Sequence, residues 1–134
     1  MNQEKFKLRT KTFALRIIRL VGALPQKQVA ATVIGKQLLR SGTSVGANYR
    51  AACRARSTAE LIAKLHIVLE EADESLYWME LIVEAGLIPN DKLHDLMREA
   101  NEIIAMLVAS LKTLRAKPDS QRIHNSSTSK KNNQ

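Results

Sequence analysis

The chain has one cysteine, three prolines, five glycines and five aromatic residues in 134 positions, and each shortage excludes something. A lone Cys53 cannot close an internal disulfide, so packing alone must hold the fold, and a reducing cytoplasmic setting fits it. No apolar run reaches the ~18 residues that a membrane span needs, so no membrane partner is expected. The opening run MNQEKFKLRTK is too polar for a secretory signal. No segment alternates apolar and polar residues over a useful length, which excludes strands.

What is there instead is charge, unevenly placed. The net charge is +8. Residues 1–59 carry 12 bases and one acid, residues 60–102 carry 3 bases and 11 acids, and residues 103–134 carry 6 bases and one acid. Such a split is either a solvated surface, a basic face for an anionic partner, or complementary faces on neighbouring subunits.

Four stretches repeat their apolar residues with helical periodicity. The first runs from about Phe6 to Ala23 and places Phe6, Phe13, Ile17, Leu20 and Leu24 on one side. Arg9, Arg16 and Arg19 share a neighbouring face with Lys5. A third helix opens at Ser57, where Ser57-Thr58-Ala59-Glu60 is a capping box. Its seam is Ile62, Leu65, Leu69, Ala72, Leu76, Met79 and Val83, stopped by Gly86 and Pro89. A fourth begins near Asn90 or Asp91, with a seam from Leu93 to Leu114, and fades at Lys117-Pro118. The chain therefore divides into a helical domain, residues 1–117, and a polar basic tail over 118–134 that is expected to be disordered.

The second helix is the most informative. Wound over residues 33–56, it shows three stripes. Ile34, Leu38, Ser41, Val45, Asn48 and Ala52 form a core seam, in which Ser41 and Asn48 need a backbone carbonyl or a neighbouring helix as partner. Gly42 and Gly46, one turn apart, admit a close helix of this or another subunit, which offsets the ~1 kcal/mol that each mid-helix glycine costs. Lys36, Arg40, Arg50 and Arg54 line up opposite the core, with Arg56 just beyond, and no acid at i,i+4 relieves them. Such a row suits phosphates or an acidic protein surface.

Catalytic patterns are missing. The segment SGTSVG has no preceding strand and no G-x-x-x-x-G-K-[ST], so it is helix interior and not a nucleotide loop. One acid-x-x-His, Asp91 to His94, does not make a di-metal bundle site, which needs two plus further acids. Cys53 has no histidine near it in sequence. The expectation is no enzyme, no cofactor and no metal. On the third helix Ile67, Tyr77, Trp78 and Leu81 fall off the seam, which points to subunit contact.

The run from Arg40 to Leu87 closely resembles the bacterial 23S rRNA-intervening-sequence protein family. Its S-x-G-A-N motif stands here as Ser44-Val45-Gly46-Ala47-Asn48, followed by Ser57, Lys64, Glu70-Glu71 and Tyr77-Trp78. The resemblance covers about Phe6 to Leu111. It implies an all-α, antiparallel up-and-down four-helix bundle that assembles into a homopentameric ring. Members of the family are encoded in insertions of large-subunit ribosomal RNA genes or elsewhere in bacterial genomes. A distant branch, the accessory variability determinant of retroelements, binds a reverse transcriptase and nucleic acid. The expected function is therefore a non-enzymatic oligomeric bundle whose basic face binds RNA or DNA, or an accessory scaffold whose basic face meets another subunit or a reverse transcriptase.

Overall fold

The computed structural model describes residues 2–117, so the expected tail over 118–134 lies outside the described residues. Four helices account for nearly all of the described chain: α1 (Gln3–Gly22), α2 (Val29–Ala52), α3 (Thr58–Glu84) and α4 (Asn90–Ala116). There is no strand among the described residues.

Local chemistry sets the ends of these helices. Asn2 caps α1 by accepting from the backbone N–H of Lys5. At α3, Ser57 Oγ accepts from Glu60 N at 3.0 Å, while Glu60 accepts from Arg56 N at 2.7 Å, one residue earlier than a capping box prescribes. Gly86, with φ of 72°, ends α3. Leu87 N then bonds Ile82 O and Gly86 N bonds Val83 O, the paired bonds of a left-handed helix stop.

Successive helices run antiparallel and pack side by side, α1 on α2, α2 on α3 and α3 on α4, whereas α1 touches α4 sparsely. The residue pairings fix this sense: Phe6 meets Tyr49 edge-to-face with ring centroids 4.7 Å apart, while Ile17 lies against Gly42. The core runs the length of the bundle, from Phe6, Phe13 and Ile17 to Leu38, Val45, Met79, Leu93 and Leu107, all but shut off from solvent.

Two features depart from the sequence reading. The α2 helix ends at Ala52, not 56. Arg54 N and Ala55 N bond the carbonyls of Ala51 and Ala52, three residues back, and the chain turns so that Ser57 can start α3. Arg54 and Arg56 therefore sit in that turn and not on the α2 surface. The α3 seam buries Leu65, Ala72 and Met79 as expected, but its second row lies on the other side of them. Val68, Ser75 and Ile82 are fully buried, while Ile62, Leu69, Leu76 and Val83 are half-buried. The reason is that α3 packs between α2 and α4 and so buries a face wider than one seam.

Candidate nucleic-acid interface

The polar members of the α2 seam have their partners inside the chain. Ser41 Oγ donates to Leu38 O at 3.3 Å and accepts from Ser75 Oγ at 2.9 Å, a buried link between α2 and α3. The half-buried Asn48 donates to Ser44 O at 2.9 Å. The Ser41 hydroxyl is thereby closed to a ligand.

The glycines admit α1 of the same chain. A Cβ on Gly42 would come within 2.8 Å of Ile17 Cγ1 and Cγ2, and one on Gly46 within 3.3 Å of Thr10 Oγ1. Thr10 is buried and satisfies its hydroxyl on Phe6 O at 3.0 Å, which is how a threonine comes to serve as the small residue facing Gly46.

The basic residues fall into two groups. Arg9 and Arg40 are engaged within the chain. Arg9 donates through Nε and Nη2 to the two oxygens of Glu99, at 2.7 and 2.9 Å, and through Nη2 to Glu102 at 2.5 Å. These bonds hold its guanidinium more firmly charged than an ordinary arginine, the Glu99 hydrogen bonds being the largest cause. Arg40 donates to Glu71 at 3.3 Å and to Glu74 at 2.7 Å on α3. Glu74 in turn accepts from the indole N–H of Trp78 at 2.9 Å. Its carboxyl is held below the usual range, first by the Arg40 bond and then by the indole.

The second group has no such partner. Among the described residues Lys36, Arg50, Arg54 and Arg56 form no side-chain ion pair, nor do Arg16 and Arg19 on α1. Lys36, Arg50, Arg54, Arg56 and Arg19 are exposed and Arg16 is half-buried.

The apolar surplus of α3 is placed on its outer surface in part. Ile67 and Tyr77 are exposed, whereas Trp78 and Leu81 are half-buried, with Trp78 packed against the core and edge-to-face with Tyr77. The structure adds a second apolar outer face that the sequence reading missed: Leu8, Leu15 and Ile18 on α1, exposed by 66%, 45% and 48%. Their spacing of seven and three was the available signal, hidden because the core row of the same helix is stronger.

Among the described residues no three His, Cys, Asp or Glu side chains gather as a metal site, and no helix is long and apolar enough to cross a membrane. Cys53 lies beside the buried Tyr49 at one rim of a cleft of about 450 Å³ between the helix ends. Burial, the first cause, and then the neighbouring thiol push the Tyr49 phenol well above its usual value.

Four antiparallel helices with a full-length core, clasped by ion pairs and carrying unpaired cations outside, define an all-α bundle protein with a basic surface. The chain belongs to the 23S rRNA-intervening sequence protein family, whose family model matches residues 4–109. It is also similar to a crystal structure at 1.70 Å of a protein of unknown function from the S23 ribosomal protein family of Bacteroides thetaiotaomicron VPI-5482. The two are 40% identical, with a TM-score of 0.73, over 79% of this chain and 97% of that one. Among curated proteins none matches the chain.

Proposed function

We propose that this protein is a non-enzymatic, homo-oligomeric bundle that binds RNA or DNA through its unpaired cations. The supporting observation is the division of the basic residues. Arg9 and Arg40 are satisfied by carboxylates of the same chain, yet Lys36, Arg50, Arg54 and Arg56 stand unpaired among the described residues. Unpaired like charges repel one another, and a phosphate backbone relieves that repulsion while releasing its counterions.

The outer apolar residues support self-association. Leu8, Leu15 and Ile18 on α1, with Ile67 and Tyr77 on α3, are too many exposed apolar side chains to be scattered singles. A ring of copies, the pentamer that the resemblance implies, would cover them.

Fluorescence anisotropy with labelled RNA and DNA over a salt series tests the first part. Binding should weaken steeply with salt, and salt-independent binding refutes a phosphate-contact mechanism. Light scattering tests the second, with a mass above that of one chain as the expected result. The exposed apolar faces also favour a second reading, an accessory scaffold for a protein partner such as a reverse transcriptase. In that case charge reversal at Arg50 and Arg54 breaks the assembly or the partner complex, and nucleic acid has no effect.

A further inference from the structure

The positive charge is gathered at one end of the bundle. In an up-and-down bundle the start of α1, the end of α2, the start of α3 and the end of α4 lie together. Here one cleft is lined by Gln3, Tyr49, Leu61 and Leu114, one residue from each of those four ends. Across the same end, the guanidinium of Arg115 on α4 donates to His66 Nε2 on α3.

The first turns of α1 bring Lys5 and Lys7 to this end. Arg50 comes from the last turn of α2, Arg54 and Arg56 from the turn after it, and Lys64 from α3. The close of α4 adds Lys112, Arg115 and Lys117. Only two carboxylates accompany these nine cations: Glu4, which pairs with Lys7, and Glu60, which holds the backbone of Arg56. The end carries a net +7, whereas the rest of the described chain, with nine bases and ten acids, nets −1. The two ion clasps are part of that balance, since Arg9 and Arg40 sit among the acids of α3 and α4.

We infer that this four-helix end, and not the outer stripe of α2, is the surface that meets nucleic acid, and that it binds the phosphate backbone without reading bases. The inference rests on the nucleic-acid reading above and specifies its site. Lys36 belongs to the opposite end, 14 residues up α2 from Arg50 and about 21 Å along the axis at 1.5 Å per residue. A patch fed by four helices spaced ~8–10 Å apart is broad enough to touch several phosphates, which fall every ~1.7 Å along a duplex. The turn carrying Arg54 and Arg56 is already fixed by Glu60, so little order has to be gained on binding.

The mode follows from what the end does not show. Among the described residues its aromatic rings, Phe6 and Tyr49, are buried against each other, while Tyr77 and Trp78 lie in the far half of α3. Without an exposed ring, unpaired bases have no aromatic platform to stack on, and contacts to phosphate dominate.

The test compares the full chain with two double variants, Arg54→Glu/Arg56→Glu at the basic end and Arg19→Glu/Lys36→Glu at the other. Labelled duplex DNA, duplex RNA and single strands of one sequence are the probes. Thermal melts confirm folding, and Arg54→Gln/Arg56→Gln repeats the measurement without added acid. The inference expects at least a tenfold loss of duplex affinity in the first pair and a salt slope shallower by about 2, at ~0.9 per lost phosphate contact. It expects less than a threefold change in the second pair, and duplexes bound at least as well as single strands. Equal losses in both pairs, or a loss only in the second, overturn the placement while leaving nucleic-acid binding intact. Strong preference for single strands overturns the backbone mode. A wild-type chain that binds none of the probes at ~50 mM salt overturns the nucleic-acid reading, and this inference falls with it.

Discussion

Arg9 holds Glu99 in a fork of two hydrogen bonds, 2.7 and 2.9 Å long, and so ties the first helix of the bundle to the last. The α1–α4 seam has little packing of its own, so this polar clasp does what apolar contact does at the other three seams. Glu99 is mostly shielded, with a side chain 19% exposed, and losing its partner leaves a poorly solvated carboxylate. Arg9→Ala is expected to cost about 1–2 kcal/mol, after discounting for the solvent that still reaches Arg9. Urea unfolding measures it, and a change below ~0.5 kcal/mol would contradict the assignment.

Gly42 and Gly46 should differ when changed to alanine. At Gly42 the new methyl meets the fully buried Ile17 at 2.8 Å, and that side chain has nowhere to go. The clash costs about 1–3 kcal/mol, more than the ~1 kcal/mol that alanine returns as a helix former. At Gly46 the nearest atoms lie at 3.3–3.4 Å, so a few tenths of an ångström suffice and the variant should stay within about 1 kcal/mol of wild type. Paired thermal melts test the ranking, and the reverse order refutes it.

Trp78 is the only tryptophan and reports on Glu74 through its indole N–H. The folded-state pKa of Glu74 lies below the ordinary carboxylate value, chiefly because of Arg40. Its contribution to stability is therefore complete above about pH 4.3 and is lost as pH falls through the depressed folded value. Arg40→Ala removes the largest cause of that depression. The acid midpoint of Trp78 fluorescence should then move to higher pH, and a midpoint that stays or moves down is the contrary result.

Ser41 and Ser75 share a buried hydrogen bond 2.9 Å long, and each also donates or can donate to a carbonyl of its own helix. Because those carbonyls remain, Ser75→Ala should cost only about 1 kcal/mol. The double variant with Ser41→Ala should cost less than the sum of the singles, with a coupling of about 0.5–1 kcal/mol in a denaturation cycle. Additive losses would mean that the two hydroxyls do not stabilise one another.

The helical seams were legible because 3.6-residue periodicity survives in a linear string, and Leu93 to Leu114 on α4 is buried as its spacing requires. Gly42 and Gly46 were legible as a close approach, since two glycines one turn apart inside a helix need a reason. That the approach is made by Thr10 and Ile17 of the same chain was not: Thr10 stands four residues after Phe6 and three before Phe13, on the core row, but its hydroxyl reads as polar until the Phe6 carbonyl is seen to satisfy it. The α3 seam was right at Leu65, Ala72 and Met79 and misplaced in its flanking row for a related reason. Leu69 and Leu76 look as apolar as Val68 and Ile82, and only the position of α3 between two neighbours sets which row is covered more deeply.

Charge shows the same limit more sharply. Read along the chain, the first two helices are basic and most of the remainder acidic, which suggests one basic side and one acidic side. Folding re-sorts those charges, because antiparallel helices bring Arg9 to Glu99 and Arg40 to Glu74 across 90 and 34 residues. The sequence by itself determined four helices, the Ser57 cap and Gly86 stop of α3, most of the apolar faces and a surplus of cations. Only the tertiary structure decided which cations are neutralised and which are gathered at one end. Coulomb interactions depend on distance in space, and helix packing alone brings charges far apart in sequence within reach of one another.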